Sequence, residues 1–362
     1  MKNQKGVVKV VKLWLILGLV MIFFQILLGG ITRLTGSGLS ITKWDIITGS
    51  IPPLTEKSWN AEFELYKVTP QYQHINQGMS LEDFKFIYFW EFTHRLWARA
   101  MGFVFLLPLI FFIYKRYINK ELAKQLVNVF LLAVIVASAG WIMVASGLIN
   151  RPWVNAYKLS IHLILAVILF CYLLWIVIGV YFKDVVFNNS FKLYSQHVLI
   201  LVLLIFVQIF LGGMMSGMKA GLMYPTWPEI GNEYIPKILL DRNQWQQSNF
   251  VFYDKNIFMP TLIQLIHRTV AYVIFFYALY VISQVLKNTE DKLITMMSYM
   301  LISLLILQIV LGILTVLNCV GRIPLLLGVL HQGTGILLLG NSIVIYYFSK
   351  RMHLKNVNNS VS

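Results

Sequence analysis

Eight apolar stretches, separated by polar turns, organise the chain. They lie near 11–30, 91–113, 126–147, 158–181, 196–215, 260–283, 295–317 and 324–348. Each is close to the roughly 20 residues an α-helix needs to cross a bilayer. The pattern predicts an all-α integral membrane protein with eight transmembrane helices. The first stretch runs into "GGITRLTGSGLS" with no small-residue cleavage site behind it. It is therefore read as a retained span and not as a cleaved signal peptide.

The stretches repeat. The first ends "FQILLGG" (Phe24–Gly30) and the fifth "VQIFLGG" (Val207–Gly213). The second carries "THR" (Thr93–Arg95) where the sixth carries "IHR" (Ile266–Arg268). The fourth has "SIHLILA" around His162 and the eighth "VLHQGTG" around His331. His94 to His267 is 267 − 94 = 173 residues, and His162 to His331 is 331 − 162 = 169. Matched motifs in the same order at a near-constant offset predict two tandem, pseudo-symmetric four-helix bundles, residues 1–190 and 191–362. Duplication across four spans preserves orientation, so the repeat is parallel.

Composition agrees: 58% of residues are hydrophobic and 12% charged, too little charge to cover a soluble core of 362 residues. The net charge of +15 is read as topology and not as a nucleic-acid footprint. Lys2, Lys5, Lys9 and Lys12, then Lys115, Arg116, Lys120 and Lys124, then Lys350, Arg351 and Lys355 all fall on one side of eight spans. That side is expected to be the cytoplasm, with both termini inside and the long loops 31–90 and 216–259 outside. Cys171 and Cys319 are expected in spans as small buried hydrophobes, and neither long loop contains a cysteine.

Seven histidines occur. His74, His197 and His353 are expected at solvated or interfacial positions. His94, His162, His267 and His331 each stand near the start of an even-numbered span, which places all four in the outer leaflet, two per half. A lone histidine on an apolar helix is usually bonded to a neighbouring helix; four in duplicated pairs strain that reading. Imidazole pairs from facing helices suit the axial positions of a haem iron, whereas zinc or copper would want further ligands nearby. Structural or proton-relay histidines are the other reading. Arg95 and Arg268 follow their histidines and stand open to two readings, bidentate partners for haem propionates or snorkelling interfacial cations. Gly29, Gly30, Gly140, Gly212, Gly213, Gly312, Gly333 and Gly335 permit close helix approach.

The halves differ at one chemically loaded position. Three residues before His94 stands Glu91; three before His267 stands Gln264. Of 15 acidic residues, Glu91 alone enters an outer-leaflet span. An ionisable group there is costly and by default functional, so Glu91 is the candidate proton acceptor or donor. The competing reading is an interfacial glutamate paired with Arg95. The half with an acid is expected to hold the reaction, and the half without one to hold a permanent haem for electron transfer.

Taken together, "GGITRLTGSGLSITKW" (29–44), "EFTHRLWAR" (91–99), "SIHL" (160–163), "LIHRTVAY" (265–272) and "HQGTG" (331–335) resemble the haem A synthase family of cytochrome oxidase biogenesis. The resemblance covers nearly the whole chain and is closest to the mitochondrial and proteobacterial branch, which has no loop cysteines. One departure is "ASAGW" (137–141), where the family has a glutamine before the Gly-Trp stretch; Gln25, Gln208 and Gln308 keep such a residue in other spans. The resemblance implies oxidation of a ring methyl of haem O to a formyl group through successive hydroxylations. It implies that His267 and His331 ligate a resident haem b, and that His94 and His162 hold the haem O iron with Glu91 beside the methyl. A cell inner membrane location follows, with haem O synthase and a membrane electron acceptor or donor as partners and room for a homo-oligomer. Two rival classes remain, a dihaem b-type electron carrier that leaves both macrocycles unchanged and a proton-relay transporter without haem. Trp44, Trp59, Trp227 and Trp245 in the outer loops are expected to cover the haem sites or to rest at the interface.

Overall fold

Backbone is described for residues 2–42, 48–147, 152–183 and 194–359 of a computed structural model, and side chains for these residues except 2–5, 7, 48 and 351–359. Trp44 and the His353 side chain lie outside the described residues. Among the described residues, eight helices are long and apolar enough to cross a membrane: Val8–Leu34, Leu81–Tyr114, Lys120–Gly147, Ala156–Tyr181, Ser195–Gly217, Phe258–Lys287, Lys292–Leu317 and Leu325–Lys350. Seven of the eight predicted spans fall inside them and the eighth starts one residue early, at 324; the chain is a multi-pass membrane protein. In chain order the helices are α1 (Lys2–Leu34), α2 (Glu56–Lys67), α3 (Pro70–His74), α4 (Leu81–Tyr114), α5 (Lys120–Gly147), α6 (Ala156–Tyr181), α7 (Ser195–Gly217), α8 (Gln247–Val251), α9 (Phe258–Lys287), α10 (Lys292–Leu317) and α11 (Leu325–Asn359). Among the described residues there is no strand, only an isolated bridge between Ile230 and Glu233.

One boundary differs from expectation in a way that matters. The apolar pattern starts the second span at 91, but α4 starts at Leu81. Ser80 caps it, accepting from Asp83 N while its own N–H is taken by the Asp83 side chain. The added turns bury Phe84, Ile87 and Tyr88 against α2, so water-side packing begins the helix well before the apolar run. Glu91 and His94 therefore sit inside a continuous helix and not at its opening. A smaller correction concerns Cys319, which lies in the turn after α10 and donates its thiol to Thr315 O at 3.2 Å. Cys171 is buried in α6 as expected.

The chain divides into two compact units, Met1–Phe170 and Cys171–Ser362. The expected division at 190/191 falls outside the described residues. The C-terminal part of α6, from Cys171, belongs to the second unit, where Trp175 packs edge-on to Tyr347 at 4.7 Å.

In the first unit α1 and α4 run antiparallel, stitched by side chains that donate to the opposite helix's carbonyls. Trp14 Nε1 reaches Val104 O at 2.9 Å, Trp97 Nε1 reaches Met21 O at 3.0 Å, and Gln25 Nε2 reaches His94 O at 3.2 Å. An indole or amide N–H left unpaired in lipid costs several kcal/mol, so these bonds fix the register of the pair. Outside the membrane, α2 and α3 lay an aromatic cap on α4: Phe63 and Tyr66 stack on Phe84 at 5.0 and 5.1 Å, and Trp59 meets Tyr88 at 5.1 Å. In the second unit α7 packs on α9 and α11, and α10 on α9 and α11.

Candidate haem sites and the loop clasps

Each unit brings together its own pair of histidines. His94 (α4) and His162 (α6) are close enough to interact electrostatically, as are His267 (α9) and His331 (α11). Every one of the four rings rests on a glycine of the preceding span. A Cβ added to Gly29 would lie 3.4 Å from His94 Nε2, and one added to Gly212 would lie 3.5 Å from His267 Cε1. At Gly140 and Gly312 it would come within 2.9 Å of His162 Cε1 and His331 Cε1. The sequence marks these glycines only as small packing residues; their assignment to histidines emerges from the structure.

The ring chemistry suits a metal. His331 Nδ1 lies 3.1 Å from Gln308 O. A carbonyl only accepts, so Nδ1 carries the proton and Nε2 keeps the lone pair that a metal ligand requires. The Gln308 and Gln208 amide nitrogens stand 3.4 Å from His331 Nε2 and His267 Nε2. Among the described residues, the buried oxygens of Gln25, Gln208 and Gln308 and the buried His267 Nδ1 have no hydrogen-bond partner. Uncompensated polar atoms beside paired imidazoles, with glycine instead of side chain behind each ring, fit a planar metal complex held between two helices. Among the described residues no three His, Cys, Asp or Glu side chains cluster as a metal site, so each donor set is a pair.

Glu91 and Arg95 do not stand free. Glu91 is 2% exposed. Its Oε2 accepts from Ser40 N at 2.7 Å, Ser40 Oγ at 2.7 Å and Ile41 N at 2.9 Å. Its Oε1 accepts from Arg95 Nη2 at 2.5 Å, and Arg95 Nη2 also reaches Ile41 O at 3.2 Å. The pairing with Arg95, set out as the competing reading, is present, and the pair clasps the loop after α1 onto α4. The second unit has a clasp at the matching place. Gln264 Nε2 donates to Tyr224 O at 2.9 Å, and Arg268 donates to Thr226 O, Pro228 O and Glu229 O at 2.6, 3.3 and 3.0 Å. Aligning the two Gly-Gly pairs (212 − 29 = 183) sets Ile41 opposite Tyr224 and Ser40 opposite Met223. Ser40 has no signal of its own in the sequence: it lies within "GGITRLTGSGLSITKW", 51 residues from the carboxylate it bonds.

The remaining candidates are placed outside these clusters. His197 Nδ1 lies 3.0 Å from Tyr277 Oη. Trp59 belongs to the aromatic cap, while Trp245 donates to Leu239 O at 3.0 Å and meets Phe258 edge-on.

These features define a polytopic membrane protein with paired intramembrane histidines in each unit and an acid clasped beside one pair. A family model described as cytochrome oxidase assembly protein, COX15-CtaA, matches residues 12–343, and the chain belongs to that family. Among similar proteins, one named heme A synthase from Rickettsia conorii is 37% identical over 340 residues, covering 93% of this chain and 97% of its own. The heme A synthase of Flavobacterium psychrophilum is 36% identical over 359 residues, covering 97% and 100%. That of Mesorhizobium japonicum is 38% identical over 330 residues, covering 90% and 87%.

Proposed function

We propose that this chain is a haem A synthase, an enzyme that oxidises a ring methyl of haem O to the formyl group of haem A. The observation that carries the assignment of roles is the single acid in two otherwise matching clasps. Gln25 and Gln208 bond the backbone of the adjacent histidine in the same way, at His94 O and His267 O. Gly29 and Gly212 back the same rings. Among the helix side chains that form the clasps, the acid Glu91 is replaced by the amide Gln264, while Arg95 and Arg268 keep their type. In this reading residues 1–190 form the reacting half and 191–362 the half with the resident cofactor.

His267 and His331 would hold haem b, and His94 and His162 the iron of haem O as substrate. A bound haem supplies the redox chemistry for a methyl C–H bond, which side chains alone do not. The chain's own residues orient the macrocycle, exclude water and handle protons. On Glu91, Oε2 already accepts three hydrogen bonds and Oε1 accepts one, so Oε1 is the atom with room to hold or release a proton. The pairs lie in the outer leaflet of a cell inner membrane, with both termini cytoplasmic. The enzyme draws haem O from haem O synthase and exchanges electrons with a membrane carrier; assembly as a homo-oligomer is compatible with this.

The test is pigment extraction from membranes co-expressing the chain with a source of haem O. Haem A is expected. Persistent haem O with a bound b-type spectrum would favour a pure electron carrier, and a colourless purified protein would exclude both. Glu91→Gln should keep the resident b-type spectrum while lowering haem A formation at least a hundredfold, the span ascribed to a positioned acid or base. Breaking a buried ion pair can itself cost about 3–5 kcal/mol, so retention of the b-type spectrum is the control for folding. Normal haem A output from Glu91→Gln would end its assigned role.

A further inference from the structure

We infer that Ser40 is the positioning residue for the Glu91 carboxylate, anchoring Oε2 so that Oε1 is presented for proton handling. This rests on the reading of Glu91 given above. Ser40 is 1% exposed and gives Glu91 Oε2 two of its three hydrogen bonds, one from Oγ and one from the backbone. The hydroxyl has one proton and two acceptors in reach, Glu91 Oε2 at 2.7 Å and Ile87 O at 3.4 Å. The shorter, charge-assisted bond takes it.

The segment that presents Ser40 is itself held rigid. Thr35 Oγ1 and Ser37 Oγ are 2.6 Å apart, Ser40 N also reaches Ser37 O at 3.1 Å, and Gln71 Nε2 in the cap donates to Gly36 O at 2.9 Å. Leu39 wedges against Gly147, whose Cβ, if added, would fall 3.0 Å from a Leu39 methyl. A group held on such a scaffold can fix a carboxylate rotamer, which a flexible loop cannot.

The second unit supplies the comparison. Met223 stands opposite Ser40 and cannot donate, and Gln264 stands opposite Glu91. Both members of the hydrogen-bonded pair change together, while the glycine, the histidine and the arginine around them are kept. A serine needed only to close the loop would serve equally well in both units. A serine that aims a carboxylate is needed only where the carboxylate is.

The experiment measures haem O conversion by the full chain in membranes, across haem O supply, for wild type and Ser40→Ala, Ser40→Cys, Ser40→Thr, Glu91→Gln and Ser40→Ala/Glu91→Gln. The b-type spectrum reports folding throughout. Ser40→Ala and Ser40→Cys are expected to lower maximal turnover about tenfold to a hundredfold, the loss of one bond to a charged group. The haem O supply giving half-maximal rate should stay unchanged. Ser40→Thr, which keeps the hydroxyl, should recover most of the turnover, and Ser40→Ala should cost nothing further in the Glu91→Gln background.

Wild-type turnover in Ser40→Ala or Ser40→Cys beside an inactive Glu91→Gln would overturn the role of Ser40 alone. An additive double variant would do the same. Full activity in Glu91→Gln would instead overturn the reading on which the role rests. If Ser40→Ala loses the b-type spectrum, the decision passes to Ser40→Cys against Ser40→Thr. Those two differ in donor strength, and equal turnover in the pair would reject the proposal.

Discussion

The clasp of the first unit and the clasp of the second do the same mechanical job with opposite polarity. At α4 a carboxylate takes backbone N–H groups from the Ser40–Ile41 segment. At α9 an amide gives its N–H to a backbone carbonyl, Tyr224 O. The change from acid to amide thus travels with a change in which face of the loop peptide turns inward. Charge differs too. Glu91 and Arg95 neutralise each other with side chains 3% and 12% exposed. Arg268, among the described residues, donates to three backbone carbonyl oxygens and to no carboxylate. A neutral clasp beside one histidine pair and a cationic one beside the other agree with the proposed division into a site that exchanges an anionic macrocycle and a site that keeps one.

The largest expected effect breaks the comparison outright. His267→Ala or His331→Ala should lose the resident b-type spectrum and all haem A formation, since each removes one of the two donors proposed for the resident haem. His94→Ala or His162→Ala should abolish haem A formation while the b-type spectrum survives. Difference spectra of purified protein beside pigment analysis of the same membranes check both. Identical spectral losses in the two halves would remove the division of labour.

The glycines sharpen it next. Gly140→Ala and Gly312→Ala place a methyl 2.9 Å from a half-buried imidazole, so ring or helix must move; Gly29→Ala and Gly212→Ala meet their rings at 3.4 and 3.5 Å, ordinary contact. Overpacking of this kind costs about 1–3 kcal/mol. Gly312→Ala should therefore weaken resident haem retention, and Gly140→Ala product formation, each about tenfold. Gly29→Ala and Gly212→Ala should stay within about threefold. Haem content per protein and initial rates are the readouts.

Much of this was legible beforehand because its signals are local. Eight spans follow from apolar length, and the histidine pairs follow from matching motifs such as Thr93–Arg95 with Ile266–Arg268. What escaped was non-local. The early start of α4 depends on Phe84 and Tyr88 meeting a cap that apolar length does not reveal. The Ser40 bond joins residues 51 apart, and nothing in the spacing of a serine and a glutamate announces it. The pairing of Gly140 with His162 and of Gly312 with His331 needed the helices to be docked.

The arginines come third in size. Arg268→Gln removes a cation whose partners among the described residues are carbonyls, and should weaken resident haem retention on the order of tenfold, seen as haem lost on dilution or detergent washing. Arg95→Gln should leave that retention intact and act on turnover through Glu91, whose Oε1 loses its donor. Equal haem loss in both variants would mean the two clasps serve one purpose.

The smallest effect concerns what backs the first clasp. Tyr66 in the cap accepts from Asn76 Nδ2 at 2.6 Å and donates to Gln71 Oε1 at 3.1 Å, and Gln71 in turn holds Gly36 O. Burial pushes the Tyr66 phenol up to about 12. The folded cap keeps a proton that the unfolded chain releases near pH 10, so the folded state binds more protons between about 10 and 12 and the cap loses stability as pH rises through that window. Tyr66→Phe should cost about 0.5–1.5 kcal/mol at neutral pH and flatten this alkaline loss. Amide exchange across 56–74 measures both. Turnover should fall only a few-fold, because the Ser40 and Ile41 donors to Glu91 remain; a collapse as deep as that of Ser40→Ala would shift the rigidity of the first clasp from the loop itself to the cap behind it.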